Sequence, residues 1–162
     1  MSQSRAPVMT GGCQCGAVRY ALYAEPSGPH ICHCRMCQKA FGSYFAPLAG
    51  VALADFAWTR GRPRVFNSSS VVERGFCGDC GTPLSFRYTD GERIAISLGS
   101  LDHPERVAPE HQYGVESVVP FFAALPTLKS STTEEDTPPE RLALLKSRQH
   151  PDHDTAEWPP RS

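Results

Sequence analysis

The sequence lacks the features that mark membrane, secreted and nucleic-acid-binding proteins. It has no apolar run of the roughly 20 residues that cross a bilayer. Its first twelve residues, MSQSRAPVMTGG, lack the apolar stretch of a secretory signal. Its 16 basic and 17 acidic residues give a net charge of −1, so it has no basic excess that would follow a phosphate backbone. We therefore expect a cytoplasmic protein that binds neither membranes nor nucleic acid.

Long helical periodicity is also absent from residue 11 to about residue 128. Short β-prone runs, separated by Gly, Pro and Asp, fill this part of the chain instead. Asp90-Gly91 is a strong hairpin signal between two of these runs. The pattern predicts a mostly β fold with a single domain, and its strands are predicted at 17–23, 43–49, 64–76 (as a pair), 83–88, 93–100 and 112–122.

The two ends of the chain have few of the residues that build a core. We expect residues 1–10 to be flexible, residues 11–128 to form the β domain, and residues 129–162 to be a Pro-rich, acidic and largely disordered tail. Within the tail, a short helix is predicted at 138–148, with Thr137 as its cap and Pro138 in its first turn.

Cysteine is absent after Cys80, and the seven cysteines form three compact groups. Disulfides do not persist in a reducing compartment, and an odd number cannot all pair within one chain, so this spacing predicts metal binding. A C-x-x-C turn directs both sulfurs at one point about 2.3 Å away, which is the Zn–S distance. The groups are Cys13-Gln14-Cys15, Cys32-His33-Cys34-Arg35-Met36-Cys37, and Cys77-Gly78-Asp79-Cys80.

The number of sulfurs suggests how the groups combine. Structural zinc takes four ligands, so the two isolated pairs together make one closed site. The triplet then has three sulfurs and one exchangeable position, which is typical of catalytic zinc. Zinc is favoured over an iron–sulfur cluster because none of the spacings resembles those of ferredoxins.

Other groupings remain open from the residues alone. The triplet can take a fourth sulfur from one of the pairs, which leaves two cysteines free. A histidine can also close it, with His30, His33, His103 and His111 as candidates. His33 stands between two ligands, so we expect its side chain to point away from the metal. A triplet closed in this way would favour a structural role for both metals.

The segments GGCQCGAVRY, CHCRMCQKAFGS and FCGDCGTPLSF, in this order and spacing, resemble the glutathione-dependent formaldehyde-activating enzyme family, also named for centromere protein V. The resemblance covers roughly residues 11 to 126. It implies a complex zinc-stabilised β-sheet fold like that of a zinc-binding Rab chaperone (Mss-four-like). It also implies two zinc ions per chain: a structural ion at Cys13, Cys15, Cys77 and Cys80, and a catalytic ion at Cys32, Cys34 and Cys37.

The family's named reaction joins formaldehyde and glutathione as S-(hydroxymethyl)glutathione, or reverses that step, and is classed as a carbon–sulfur lyase. The resemblance therefore implies a lyase that acts on a small thiol and an aldehyde. Arg35 and Lys39, next to the middle motif, are candidates to bind the carboxylates of glutathione. Family members commonly carry an H-x-W segment and a second tryptophan near residues 111–121, whereas this chain has Tyr113 and Phe121 there. The alternative function is a zinc-stabilised binding module without catalysis.

Overall fold

The computed structural model describes residues 5–158, and their fold is mostly β, as the sequence predicts. The strands are β1 (Met9–Gly12), β2 (Arg19–Leu22), β3 (Ser27–Cys32), β4 (Ala46–Ala52), β5 (Phe56–Arg60), β6 (Arg64–Ser69), β7 (Val72–Phe76), β8 (Pro83–Tyr88), β9 (Arg93–Ser97) and β10 (His111–Tyr113). The helices are α1 (Arg35–Phe41), α2 (Thr133–Asp136) and α3 (Pro139–Leu142).

These strands form two sheets. The smaller sheet has the order β1-β2-β5, and the larger has the order β10-β3-β4-β9-β8-β7-β6. All neighbours pair antiparallel except β10, which runs parallel to β3. The predicted hairpin at Asp90-Gly91 is confirmed as β8 and β9, and the predicted pair at 64–76 is confirmed as β6 and β7.

The interior contains two clusters of buried side chains, and each contains cysteines. The main core draws residues from both sheets, and burying such apolar area is the main source of stability. Its fully buried members include Tyr20, Leu22, Leu84 and Ile96, and it also contains Cys13 and Cys77. The smaller cluster consists of Cys32, Cys37, Ala46 and Leu48. The cysteines are therefore fixed by the packing of the β domain itself.

The segment predicted as a final strand, 112–122, is mostly not a strand. Pairing with β3 ends at Tyr113 because Gly114 takes a left-handed φ of +67° and turns the chain out of the sheet. Short 3₁₀ turns follow at Val115–Ser117 and Phe122–Thr127. The prediction of a strand over the full segment was wrong for this reason.

Several short elements have no clear signal in the sequence. Strands β1, β3 and β5 were not predicted, and β4 begins at Ala46 instead of residue 43. The later start follows from α1, which ends at Gly42 in a left-handed cap and leaves a turn before the strand. Helix α1 itself has seven residues, which is too short to show a helical period.

Ordered structure begins within the N-terminal segment that was expected to be flexible. β1 starts at Met9, and the backbone N–H of Val8 donates to the carbonyl of Leu22 at 2.8 Å. Strand pairing thus begins before the predicted domain boundary at residue 11. Residues 1–4 lie outside the described residues.

Residues 129–148, which we call the linker, are largely exposed, in agreement with the tail that the sequence predicts. The helix predicted at 138–148 is a single turn, α3, because its leucines at 144 and 145 stay exposed and give it no face to bury. Its N-cap residue is Pro138, one residue later than the predicted cap. A second turn, α2, begins with a capping box between Thr132 and Glu135. No helix within residues 5–158 is long and apolar enough to span a membrane.

Residues 149–158, which we call the C-terminal strap, dock on the β domain. This differs from the disorder that the sequence predicts for this part of the tail. His150 is buried, and its backbone N–H donates to the carbonyl of Gln14 at 2.7 Å. The Trp158 ring lies edge-on to His150 with centroids 5.2 Å apart and leaves no room for a side chain at Gly16. These contacts join residues distant in sequence, which explains why local composition does not reveal them.

The strap also completes a buried ion-pair network. Arg19 donates to both carboxylate oxygens of Asp102 at 2.7 and 2.6 Å, and to Asp154 of the strap at 3.0 and 2.6 Å. Burial opposes ionisation of Asp102, but hydrogen bonds from Arg19 and Thr10 and the charge of Arg19 outweigh it and hold the pKa of Asp102 below its ordinary value. The side chain of Asp102 is 5% exposed, whereas that of Asp154 is 48% exposed.

The two carboxylates should differ strongly in their effect on stability. Asp102→Asn is expected to lower the free energy of unfolding by about 3 kcal/mol, because it leaves Arg19 poorly compensated in the interior. The matched change Asp154→Asn should cost less than about 1 kcal/mol, because solvent screens that pair. Urea unfolding at pH 7 measures both.

The effect of Asp102 should also depend on pH in one direction. Its folded pKa is lowered, so its stabilisation is complete above the unfolded value of about 3.9 and is lost as the pH falls through the folded value. The stability difference between wild type and Asp102→Asn should therefore be constant from pH 5 to 8 and shrink below about pH 4. Equal losses of unfolding free energy in Asp102→Asn and Asp154→Asn would contradict this account.

Candidate metal centres

Four cysteines from two distant segments meet at one point. Cys13 and Cys15 follow β1, Cys77 and Cys80 follow β7, and their sulfurs all lie within 4.8 Å of one another. The Sγ atoms of Cys13 and Cys15 are 3.5 Å apart, and those of Cys15 and Cys77 are 3.7 Å apart. A tetrahedral ion with bonds of 2.3 Å places its sulfurs about 3.8 Å apart, so the set fits one zinc-sized ion.

Each pair lies on a tight turn that ends in a left-handed glycine. Gly16 and Gly81 have φ values of +75° and +79°, and their backbone N–H groups donate to the carbonyls of Cys13 and Cys77 at 3.0 Å. A side chain at either φ would be strained, which is why glycine follows the second cysteine of each pair. The two turns are joined directly, because the backbone N–H of Gln14 donates to the hydroxyl of Thr82 at 3.1 Å.

The surroundings of three of these thiols, Cys13, Cys15 and Cys80, shift their pKa values in different directions. Burial raises the pKa of Cys13 and of Cys15. Burial also opposes ionisation of Cys80, but hydrogen bonds from the hydroxyl and backbone of Thr82 outweigh it and lower the pKa of Cys80 to about 6. A cation among the sulfurs would offset the cost of ionising the buried members.

The middle group places three sulfurs at the junction of β3 and α1. Cys32 ends β3, Cys34 is the N-cap of α1, and Cys37 lies in its first turn. The three sulfurs lie within 4.8 Å of one another, and Cys34 Sγ accepts a hydrogen bond from the backbone N–H of Cys37 at 3.4 Å. Cys32 and Cys37 are buried, whereas Cys34 is half-buried. Cys34 is therefore the member nearest to solvent.

The structure groups the cysteines four and three, as the counting of sulfurs predicts. Within residues 5–158 no histidine, aspartate or glutamate joins either cluster. His33 is fully buried, its Nε2 lies 2.8 Å from Oε1 of Gln112, and it is not a member of the cluster. The other histidines considered as ligands also lie outside the clusters: His30, His103 and His111. Metal binding by either cluster stays a prediction.

Arg74 contacts the triplet, and sequence reasoning missed it. It lies on β7, it is 6% exposed, and its Nη2 donates to Cys37 Sγ at 3.4 Å. Its Nε donates to the hydroxyl of Ser68 at 3.1 Å, and its guanidinium lies over the ring of Phe86, 5.1 Å from the centroid. The available signal was a charged residue at an inward-facing position of a predicted strand.

Burial and Arg74 both act on the pKa values of the three thiols of the triplet. Burial raises the pKa of Cys32 to about 12 and also raises that of Cys37, although Arg74 works against the second shift. Burial likewise opposes ionisation of Cys34, but the backbone of Cys37, the neighbouring sulfurs and the charge of Arg74 outweigh it and lower its pKa. The most accessible thiol of the triplet is thus the one most inclined to ionise.

The segment after β10 lies against the triplet. The backbone N–H of His33 donates to the carbonyl of Tyr113 at 2.7 Å, and Nε2 of Gln38 donates to the carbonyl of Ser117 at 2.9 Å. At Gly114 an added Cβ would lie only 2.7 Å from the backbone nitrogen of Cys34. Tyr113 and Phe121 are both exposed, and Phe121 packs edge-on to Tyr44 at 5.0 Å. This segment therefore gives the edge of the site an aromatic surface.

A cleft of about 600 Å³ lies beside α1. Its wall is mostly apolar and includes Met36, Phe66 and Phe76. Both predicted substrate-binding residues, Arg35 and Lys39, line this cleft, and Arg74 also reaches it. Arg35 donates to Oε1 of Gln38 at 2.9 Å. The cleft thus combines an apolar wall with cations and is joined to the triplet through Arg74.

The sequence profile of the family described as glutathione-dependent formaldehyde-activating enzyme matches residues 8–117. The chain belongs to this family. Both cysteine clusters and Arg74 lie within the matched residues, whereas the linker and the C-terminal strap lie beyond them. The resemblance inferred from the three cysteine motifs is confirmed.

Individual relatives of this family member agree with that assignment. An uncharacterised lyase of Schizosaccharomyces pombe is 31% identical over 86 residues, which are 53% of this chain and 62% of that protein. The match thus spans less than two thirds of the relative. The crystal structure of a Rhodobacter sphaeroides protein superposes with a TM-score of 0.51 at 24% identity, over 65% of this chain and 99% of the other, and shows the shared fold.

Gly114 offers a test of how closely the segment after β10 must approach the triplet. Gly114→Ala is expected to displace Cys34, because the added methyl would clash with its backbone, and so to reduce the metal held by the triplet. The matched control is Gly28→Ala, which has a similar φ of +57° and open space around the added atom. Both changes should cost about 1–2 kcal/mol of stability from left-handed strain. Metal content and thermal unfolding distinguish them, and equal metal loss in both variants would contradict the close-approach role.

Proposed function

We propose that this protein is a zinc-dependent carbon–sulfur lyase that makes or breaks adducts between a small thiol and an aldehyde, with S-(hydroxymethyl)glutathione as the reference substrate. The observation that carries the proposal is the unequal size of the two cysteine clusters. Four sulfurs fill a tetrahedron, whereas three leave one position for a reactant. Membership of the family and the lyase name of a relative support the reaction class.

In this proposal each chain holds two zinc ions. Cys13, Cys15, Cys77 and Cys80 hold the structural ion, and Cys32, Cys34 and Cys37 hold the catalytic one. Sulfur-only ligand sets and the spacing of the sulfurs support zinc. A zinc ion held by Cys32, Cys34 and Cys37 would offer a fourth coordination position and would lower the pKa of a thiol bound there. Reduced cysteines are needed at both centres, so we place the protein in the cytoplasm.

The proposed reaction balances without a redox step. In the synthetic direction the thiol sulfur bonds to the carbonyl carbon, the π bond of the carbonyl breaks, and the proton lost by the thiol ends on the new hydroxyl group. The reverse direction breaks the same C–S bond and returns the aldehyde. Free thiols have a pKa near 8.5 and are mostly protonated at neutral pH, so activation of the thiol is the step that most needs help.

Residues of this chain would position the reactants. Arg35 and Lys39 line the cleft and supply cations for the carboxylates of a substrate such as glutathione. The apolar wall of the cleft covers the rest of the molecule and limits access of water. Tyr113 and Phe121 are exposed and would supply an aromatic edge beside the triplet. We favour thiol activation over polarisation of the carbonyl, because three thiolates weaken the ion as a Lewis acid.

A zinc-stabilised binding module is the second candidate. It is favoured by three exposed aromatic side chains around the triplet, Tyr44, Tyr113 and Phe121, which a protein partner would cover. In that case both ions are structural, and no coordination position of either ion exchanges its ligand. The two functions differ in whether added thiol changes the sulfur ligands of the metal.

Metal analysis tests the division into two centres. Wild type is expected to contain about two zinc ions, and Cys34→Ala about one with the fold retained, because the triplet does not join distant segments. The matched change Cys80→Ala should unfold the protein at lower temperature, because its cluster joins β1 to β7. Loss of both ions and of the fold in Cys34→Ala would contradict two separate centres.

Exchange spectroscopy with ¹³C-formaldehyde tests the reaction. When glutathione or another small thiol is present, the protein should speed the exchange between free formaldehyde and its hemithioacetal with that thiol. The Cys34→Ala variant should not speed it. The uncatalysed exchange of the same mixture is the reference. If wild type with two bound zinc ions fails to speed the exchange with every thiol of a panel, the lyase proposal fails and the binding module is favoured.

A further inference from the structure

Arg74 is a buried cation without a carboxylate partner. Its side chain is only 6% exposed, at the wall of the cleft beside α1, and within residues 5–158 no Asp or Glu forms a salt bridge with it. Its Nη1 is also buried and has no hydrogen-bond partner among these residues. An uncompensated buried charge is strongly destabilising, so its position requires an anion nearby.

The sulfurs of the triplet are that anion. Cys37 Sγ accepts from Nη2 of Arg74 at 3.4 Å, and no other acidic group is placed to compensate the guanidinium within the described part of the chain. Three thiolates around a divalent ion carry a net charge of −1, which one arginine balances. The residues present therefore fit an ionised, metal-bearing triplet better than three neutral thiols.

The four-cysteine cluster is built differently. Its sulfurs accept hydrogen bonds from neutral groups: the backbone of Val18, the backbone of Asp79 and, at Cys80, the hydroxyl of Thr82. No guanidinium or ammonium of residues 5–158 donates to these sulfurs. A cation at the sulfur is thus specific to the cluster that has an open position.

We propose that Arg74 is a positioning residue of the three-cysteine centre whose charge sets the affinity of that centre for an anionic thiol. Without Arg74, addition of a thiolate takes the local charge from −1 to −2. With Arg74, it takes the local charge from zero to −1, which costs less in a buried site. The inference rests on the open metal position of the proposed function and adds the requirement that the thiol binds as its anion.

The experiment measures thiol binding instead of turnover. Protein loaded with Co²⁺ shows a sulfur-to-metal charge-transfer absorption that changes when a new thiolate binds, and the four-cysteine cluster contributes a constant background. Titration with 2-mercaptoethanol, which has no carboxylate, and with glutathione gives a Kd for each. Arg74→Gln is expected to weaken both thiols about tenfold or more, the range found for groups that support metal ligands. Arg74→Lys should restore part of the affinity because it keeps the charge.

The matched control is Arg87→Gln on the neighbouring strand. Arg87 pairs with Glu73 at 3.7 Å and does not contact a cysteine, so this variant should bind thiols like wild type. If Arg74→Gln does not fold, Arg74→Met replaces it, because this change also removes the charge while an unbranched apolar side chain fills the space, and about tenfold weaker binding is again expected.

The outcomes separate the two proposals. Equal thiol affinity in wild type and Arg74→Gln, or in wild type and Arg74→Met when that variant is used, overturns the role of Arg74 alone. Weaker binding of glutathione with unchanged binding of 2-mercaptoethanol also overturns it, since Arg74 would then bind a substrate carboxylate. A wild type with two bound ions whose absorption does not respond to any thiol overturns both the open position and the inference that depends on it.

Discussion

The meeting of sulfurs from two distant parts of the chain is the constraint on which the rest of the structure depends. Cys13 and Cys15 lie at the end of one sheet and Cys77 and Cys80 at the end of a strand of the other. With these four sulfurs in contact, the two sheets have a fixed relation, and the main core closes between their side chains. The triplet then sits on a frame that it does not itself hold together. In the proposed function, the four-cysteine cluster would stabilise the fold and the triplet would carry the chemistry.

Electrostatics distinguishes the two clusters as clearly as the number of ligands does. One is surrounded by backbone amides and a hydroxyl, whereas the other faces a buried guanidinium. Backbone amides lie at fixed short range and carry no net charge. They are therefore suited to thiolates at a site whose ligands do not exchange. A full positive charge is useful where the net charge changes as a ligand enters and leaves. In the proposed role, Arg74 would serve the function of the triplet more than the stability of the fold.

The parts of the molecule that local pattern determines were predictable from the sequence. The Asp90-Gly91 turn signal predicted the hairpin of β8 and β9, and the cysteine spacing predicted the division of sulfurs into four and three. Helix α1 was missed because its seven residues begin inside a cysteine motif, and the end of β10 was missed because it depends on the left-handed conformation of Gly114. Arg74 and the strap were missed for a different reason. Their partners, Cys37 and Arg19, are far away in sequence, and one chain without its fold does not show which distant residues meet.

The strap has a consequence for the order of events during synthesis. All seven cysteines have left the ribosome well before residues 149–158 are made, and translation adds about 5–20 residues per second. The tight turn that contains Gln14 and Gly16 therefore stays uncovered for several seconds in the nascent chain. His150 and Trp158 reach Gln14 and Gly16 only after that interval. If the cluster holds an ion, as proposed, the ion would have access to the sulfurs before the strap covers this turn, and metallation would have its own time window.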